Sequence, residues 1–286
     1  MRSMSARTTY HVEADEAAQF AATVAAIASR HSQPDPWQPG AAVSDASPSL
    51  ERALDEAGWP ELGRDAALLP LTGPAGAALG RAFASLAPVD ALLGGALKVG
   101  TVARYASHGC VTAEPQAGAV LAGRAQNVEA AAYTDALGVA AVTVSDQRRV
   151  ADDEARDRVA AWVGASTGYL AGLSEEALRL ALEHAQSRRA FGGPLSALEP
   201  VQQMLADAAT LVDGLSLLAG DSPGLDALVH AGEAAEHAVG ICMQVTGALG
   251  FTTEFPLQRA YRRSRSAHAW ADAVAVAWDG GRGAPS

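Results

Sequence analysis

Apolar residues recur at helical spacing along most of this chain, with one interruption in the middle. Residues 11–30 place Phe20, Val24 and Ile27 at intervals of three and four, with acids near the start, and predict a helix. Residues 32–49 are rich in Pro, Ser and Gly and predict a loop. Residues 49–58 (SLERALDEAG) predict a short amphipathic helix capped by Ser47 or Ser49. A connector over 68–73 is followed by helices over 76–87 and 89–99, interrupted at Pro88. Residues 100–149 lose the helical period. Short, partly β-branched runs at 119–122, 127–133 and 139–144 stand between turn residues and predict strands. So few strands cover a face more readily than they close a barrel.

From residue 152 the helical period returns and holds. A first long helix is predicted over 152–189, with Leu178, Ala181, Leu182 and Ala185 on its buried face. Gly164, Gly168 and Gly172 recur on it every four residues. Glycine costs a helix about 1 kcal/mol relative to alanine, so three in register need a reason. Either a neighbouring helix approaches closely, or the face leaves room for a flat ligand. A second helix is predicted over 197–218, a GDSPG turn over 220–224, and a third helix over 225–249. The third carries Leu228, Ala231, Ala235, Ala238, Cys242, Val245 and Leu249 on one side. Thr252 or Thr253 caps a fourth, with Pro256 in its first turn. Long helices joined by short turns predict an up-and-down four-helix bundle. The expected fold is therefore mainly α: a helical domain over 1–100, a truncated β segment over 101–150 and the bundle over 151–286.

Composition narrows the chemistry. Of 286 residues, 49% are hydrophobic and only 5% aromatic, so alanine fills many core positions and helices can pack closely. A formal net charge of −11 without a basic stripe excludes nucleic acid as a partner. Cys110 and Cys242 make neither a disulfide framework nor a zinc spacing, which fits a reduced, cytoplasmic setting. The first ten residues hold two arginines with no apolar stretch behind them, so no signal peptide is expected. No apolar run is long enough to span a bilayer, and a membrane partner is not expected. No metal site is expected. A di-iron bundle needs Glu-x-x-His pairs, whereas His184 and His237 each have alanine three residues earlier. No glycine-rich phosphate loop follows a strand, and no serine or cysteine has a visible activating partner.

Two glycine turns remain. Arg188, Phe191 and Gly192 close the first long helix, and Gln244, Gly247 and Gly250 close the third. Both can be ordinary helix ends. Equally, glycine lets backbone approach a ligand, and arginine offers a fork that suits pyrophosphate oxygens. The order is more telling than either turn. An R-x-x-F-G turn is followed by V-Q-x-x-L-A-D (Val201, Gln202, Leu205, Ala206, Asp207). Then come Q-x-x-G and the run G-F-T-T-E-F-P-L-x-R-x-Y-R-R. From residue 172 to 265 this resembles the acyl-CoA dehydrogenase flavoprotein family. The N-terminal LERALDEAGWPELG and ALGRAFASLAPVDALLG are similar to it as well.

That resemblance implies an N-terminal helical domain, a β-domain and a C-terminal bundle, with FAD between subunits. One subunit holds the flavin ring and the acyl-CoA; its neighbour's R-x-x-F-G and Q-x-x-G segments hold the adenosine pyrophosphate. Carried over, Arg188, Ala190 and Phe191 would contact a partner's FAD, as would Gln244, Gly247 and Ala248. Ala248 stands where the family has a second glycine, and Glu199 where it has a flavin-facing glutamine. The reaction also needs a carboxylate base. Family members keep a glutamate at one of two positions, which here are Ala271 and Trp162; Asp272 is one residue off, and the arginine near the CoA adenosine becomes Val163. Glu175, Glu176 and Glu183 belong to a solvated face. The TAEPQAG run at 112–118 echoes the family's flavin-binding strand but stops short of its Ser-Asp, and the later strand has no counterpart.

One half-site kept and two lost resembles the heteromeric acyl-CoA dehydrogenases of actinobacterial sterol degradation, α2β2 tetramers with half the usual FAD sites. The resemblance implies a short, non-catalytic subunit, with no catalytic residue of its own, that completes an FAD site in a full-length catalytic partner. The partner would bind most of the acyl-CoA, a bulky steroid side-chain thioester, and pass electrons to an electron-transfer flavoprotein. Two other readings stay open: a self-sufficient FAD enzyme using Asp272, and a flavin-free helical scaffold.

Overall fold

The computed structural model describes residues 13–31, 47–92, 96–99, 102–104, 110–114, 119–129, 139–149, 152–221, 223–252 and 254–279. Four N-terminal helices come first: α1 (Ala14–His31), α2 (Pro48–Glu56), α3 (Leu69–Arg81) and α4 (Ala87–Ala91). Five strands follow: β1 (Ala96–Val99), β2 (Val102–Arg104), β3 (Cys110–Glu114), β4 (Ala119–Glu129) and β5 (Val139–Arg149). The bundle is α5 (Asp152–Ser187), α6 (Glu199–Gly220), α7 (Leu225–Thr246) and α8 (Leu257–Asp279). The fold is mainly α, with the four long helices in the predicted up-and-down order.

α5 is the spine, 36 residues long. Ala161, Ala165, Tyr169, Leu173, Ala177, Ala181 and Ala185 are all buried along it. One apolar cluster runs from Val24 and Leu50 through α3 and α5 to Val239 and Leu257. The glycine register on α5 is explained by α3. A Cβ at Gly168 would collide with the carbonyl of Gly73, and one at Gly172 with that of Ala77. The fit is reciprocal: a Cβ at Gly76 would strike the Ala165 carbonyl, and one at Gly80 that of Tyr169. Close helix approach, and not room for a flat ligand, is thus why these glycines are needed. Gly168→Ala is accordingly expected to destabilise the chain by about 1–3 kcal/mol despite the better helix propensity of alanine. A denaturant midpoint equal to or above wild type would contradict the interlock.

Several expectations are corrected. Residues 69–73 belong to α3 and are not a connector. Pro70 falls at the first turn, where no N–H is required. Pro74 and the small residues weaken the local helical signal, yet they allow α3 to seat on α5. The helix expected over 89–99 ends at Ala91, and Ala96–Val99 is a strand. Pro88 lies within the first turn of α4 and does not interrupt it. The loop expected over 32–49 lies outside the described residues except for its last three, of which Pro48 and Ser49 already belong to α2. α7 stops at Thr246, three residues early, because Gly247 turns to φ 60° and ψ −143°, a conformation open almost only to glycine. Thr252 does not cap α8; its hydroxyl donates to Leu249 O at 3.0 Å, and Thr253 is outside the described residues.

The strands also do more than expected. They form a closed barrel in the order β1-β2-β5-β4-β3, with β1 parallel to β3 and the other pairs antiparallel. The two eleven-residue strands β4 and β5 pair with register shifts between Ala122 and Arg124 and between Gln126 and Glu129. Such irregularities bend and twist strands, which is what lets so few of them close.

Candidate functional site

Both glycine turns lie at one end of the bundle, because α5 and α7 run the same way. At the end of α5, Arg188 N donates to His184 O at 2.8 Å, and Arg188 O accepts from Leu195 N at 2.8 Å. Between them, Arg189 pairs with Pro194 and Ala190 with Gly193, making a small hairpin. Its tip is Phe191 and Gly192, at φ 54° and 88°. Two positive φ values in a two-residue hairpin loop are those of a type I′ turn. Glycine adopts that conformation freely, whereas phenylalanine is strained in it. The strained residue is also 92% exposed, so the turn presents an aromatic ring to its surroundings.

The second turn runs through the 3-10 stretch Gly247–Phe251. Gln244, Gly247 and Ala248 are exposed, while Gly250 is buried. A Cβ at Gly247 would meet nothing within 4 Å, so the space before that backbone is open. The His184 ring stands edge-on to Phe255 with centroids 6.4 Å apart, which ties the two turns together. All the candidate contacts inferred from sequence therefore share one end: Arg188, Phe191, Gln244, Gly247 and Ala248 exposed, Ala190 half-buried. Glu199, exposed in the first turn of α6, is at the same end, where the helix N-terminus favours its carboxylate.

The charged form of His184 is disfavoured. Burial lowers its pKa from 6.5, and the Arg188 guanidinium lowers it further. The unfolded chain then takes up the proton first, so this contribution to stability is complete above 6.5 and is lost as pH falls from there through the lower value of the folded state. The thermal midpoint is expected to fall below pH 6.5 in the wild type and to fall less in His184→Gln. Parallel curves for the two proteins would refute the assignment.

Other chemistries find no support. Cys242 is buried, and burial pushes its thiol up to about 12, which keeps it from acting as a nucleophile. Among the described residues no three His, Cys, Asp or Glu side chains could hold a metal ion, and no helix is long and apolar enough to cross a membrane.

Residues 164–221 and 227–272 match the family model for the acyl-CoA dehydrogenase C-terminal domain. These residues are the bundle. The match covers about a third of the chain, and there the bundle is similar to acyl-CoA dehydrogenase C-terminal domains. The short-chain specific acyl-CoA dehydrogenase of Sus scrofa mitochondria is 35% identical over 107 residues, 33% of this chain and 26% of that protein. The aligned part is thus about a quarter of the length of the curated relatives it matches. Over the whole fold, the chain is similar to the Tcur3481–Tcur3483 steroid ACAD (TM-score 0.63, 14% identity, 91% of this chain and 98% of that one). It is also similar to the ChsE4–ChsE5 complex from Mycobacterium tuberculosis (TM-score 0.61, 18% identity, 93% and 96%). At these identities the likeness speaks for an acyl-CoA dehydrogenase fold and no more.

Within that fold, the positions where family members keep a base are closed. Trp162 is 2% exposed and its indole Nε1 donates to Asp90 Oδ1 at 3.2 Å. Val163 and Ala271 are buried too. Asp272 lies in α8, and its side chain is outside the described residues. The three glutamates of the solvated face are in ion pairs: Glu175 with Arg81 at 2.5 Å, and Glu176 and Glu183 with Arg179. Sequence reasoning passed over a groove of about 650 Å³ that opens beside Gln244. Its residues come from three helices, and no single stretch of sequence signals it.

Proposed function

We propose that this chain is the short, non-catalytic subunit of a heteromeric FAD-dependent acyl-CoA dehydrogenase. One contrast carries the reading. The residues inferred to meet FAD lie together on an open end of the bundle, while Trp162 and Ala271, where a base would stand, are sealed in the core. The exposed end offers the Arg188 and Arg189 guanidinium groups, the outward rings of Phe191 and Phe251 and an open glycine turn. That set fits the adenosine pyrophosphate end of FAD, approached from outside, and lacks a base for proton abstraction. When bound, FAD supplies the hydride acceptor. Arg188 would hold a pyrophosphate oxygen pair through its fork, and Gly247 would admit the dinucleotide close to the backbone. A full-length partner would contribute the glutamate and most of the acyl-CoA site, in an α2β2 assembly.

The substrate in this reading is a bulky, steroid side-chain acyl-CoA undergoing α,β-dehydrogenation, with electrons passed to an electron-transfer flavoprotein. The two similar structures named as paired chains, one of them a steroid ACAD, favour this class. The deciding experiment is an absorbance spectrum and a particle size, for the chain alone and co-expressed with a full-length acyl-CoA dehydrogenase. A colourless chain alone and a yellow tetramer with one FAD per heterodimer are expected. A chain that is yellow and active by itself would overturn the proposal and return attention to Asp272.

A further inference from the structure

Among the described residues five large apolar side chains stand exposed, and three of them, Phe191, Leu249 and Phe251, lie in the two turns at the Arg188 end. Leu182 is little more than a turn before the end of α5, and only Leu217 is near the far end of α6. Leu249 and Phe251 fall outside the residues inferred to meet the cofactor, and their backbone is fixed. Gly250 between them is buried, and a Cβ there would collide with the Thr246 hydroxyl and crowd Met243 Sδ, so the turn is seated directly on α7. Leu249 O accepts from Thr252 N at 3.1 Å and from Thr252 Oγ1 at 3.0 Å. The Phe251 ring is met edge-on by Tyr261, with centroids 6.1 Å apart. Tyr261 is held in turn by Arg265, which donates to its Oη at 2.7 Å, stands 5.4 Å over its ring and reaches Glu236 at 3.4 Å.

We infer that Leu249 and Phe251 are apolar anchors for the full-length partner itself, so that the two subunits associate without the cofactor between them. The inference rests on the reading of this chain as one subunit of a pair, and it adds what holds the pair together. Continuity selects the occupant. Gly247 and Ala248 are read as backbone facing the partner's dinucleotide, and Leu249 is the next residue in the same 3-10 stretch. A surface that brings its cofactor to Ala248 covers Leu249, and Phe251 beyond it. Exposed apolar side chains gathered at one end of a molecule mark an interaction site. A phenylalanine already fixed by its neighbours loses little conformational freedom on docking, and aromatic residues are enriched at the cores of protein interfaces. Charge sets the rim. Arg188 and Arg189 are exposed, and neither guanidinium has an ion-pair partner among the described residues. The facing surface is therefore apolar opposite Leu249 and Phe251 and anionic opposite the hairpin.

The test pairs a co-expressed full-length acyl-CoA dehydrogenase with the wild-type chain, with Leu249→Ser, with Phe251→Ser and with the double variant. Leu217→Ser, exposed at the far end, is the control. Affinity is read by titration and co-purification, assembly by particle size and flavin by absorbance. Each single substitution is expected to weaken association about tenfold or more, and the double variant is expected to leave the partner behind. Each variant chain alone is expected to melt with the wild type, because exposed side chains take nothing from the core when they are shortened. Leu217→Ser is expected to bind as the wild type does. Wild-type affinity in the double variant, or an equal loss in Leu217→Ser, would overturn the anchors. So would a chain that is dimeric alone and monomeric as the double variant, with partner binding unchanged, which would make the patch a contact between two copies. The two proposals separate in the co-purified complex. If the double variant remains in a yellow tetramer while Arg188→Ala loses flavin, the shared FAD site stands and the anchors fall. If the double variant loses its partner while the Arg188→Ala complex keeps its full flavin content, the anchors stand and the shared site falls.

Discussion

Arg188→Ala is expected to strip flavin from the co-purified complex while leaving the subunits together. The side chain is exposed at the end of α5, so its loss removes nothing from the core, and the neighbouring hairpin is held by backbone pairs that an alanine retains. What would be lost is a charge-assisted bond to pyrophosphate, of the order of 1.5–3 kcal/mol, or about 10- to 150-fold in affinity. The ratio of flavin to protein absorbance should drop, with no change in elution volume. A complex that keeps its full flavin content would leave the chain as a scaffold only. A complex that falls apart would show that Arg188 serves the subunit interface instead.

The second expected result is larger and concerns the missing base. Trp162→Glu places a glutamate at one of the positions where family members keep theirs, and it is expected to prevent folding, not to create an enzyme. Deleting a buried indole costs about 3–5 kcal/mol. The new carboxylate would then lie in apolar surroundings, beside the buried Asp90 that Trp162 Nε1 now serves. Burial and a like charge both disfavour its ionised form. Together these approach the whole stability of a typical domain. Soluble yield and a melting curve are the measurements. A soluble, active Trp162→Glu chain would show that the position is still a catalytic cleft, which is incompatible with the packing described.

The bundle was legible because its helices are long, strongly periodic and separated by Gly, Pro and Asp turns, as at Gly220–Asp221 and Gly224. The first half of α3 was hidden because Pro74, Gly73 and Gly76 lower its own helical preference, and what stabilises it is the face of α5, ninety residues away in the chain. Barrel closure was illegible for a related reason: local alternation identifies strands, but the parallel pairing of β1 with β3 is decided in three dimensions. At the candidate site, the motifs marked Arg188 and Gln244. Nothing in the letters F-G showed that Phe191 would adopt a positive φ, since that depends on the two-residue loop between Ala190 and Gly193. The groove needs α6, α7 and α8 at once and could only be seen folded.

The meshing of α3 with α5 has a mechanical consequence. Where backbone sits on backbone, no soft side chains lie between the helices to absorb small displacements, and intermediate registers would press Cα atoms onto carbonyl oxygens. α3 can therefore move along α5 only in discrete jumps, as packed elements do. The spine is about 54 Å long at 1.5 Å per residue. Over that length one unbroken helix joins the interlocked face of α3 to the hairpin that carries Arg188.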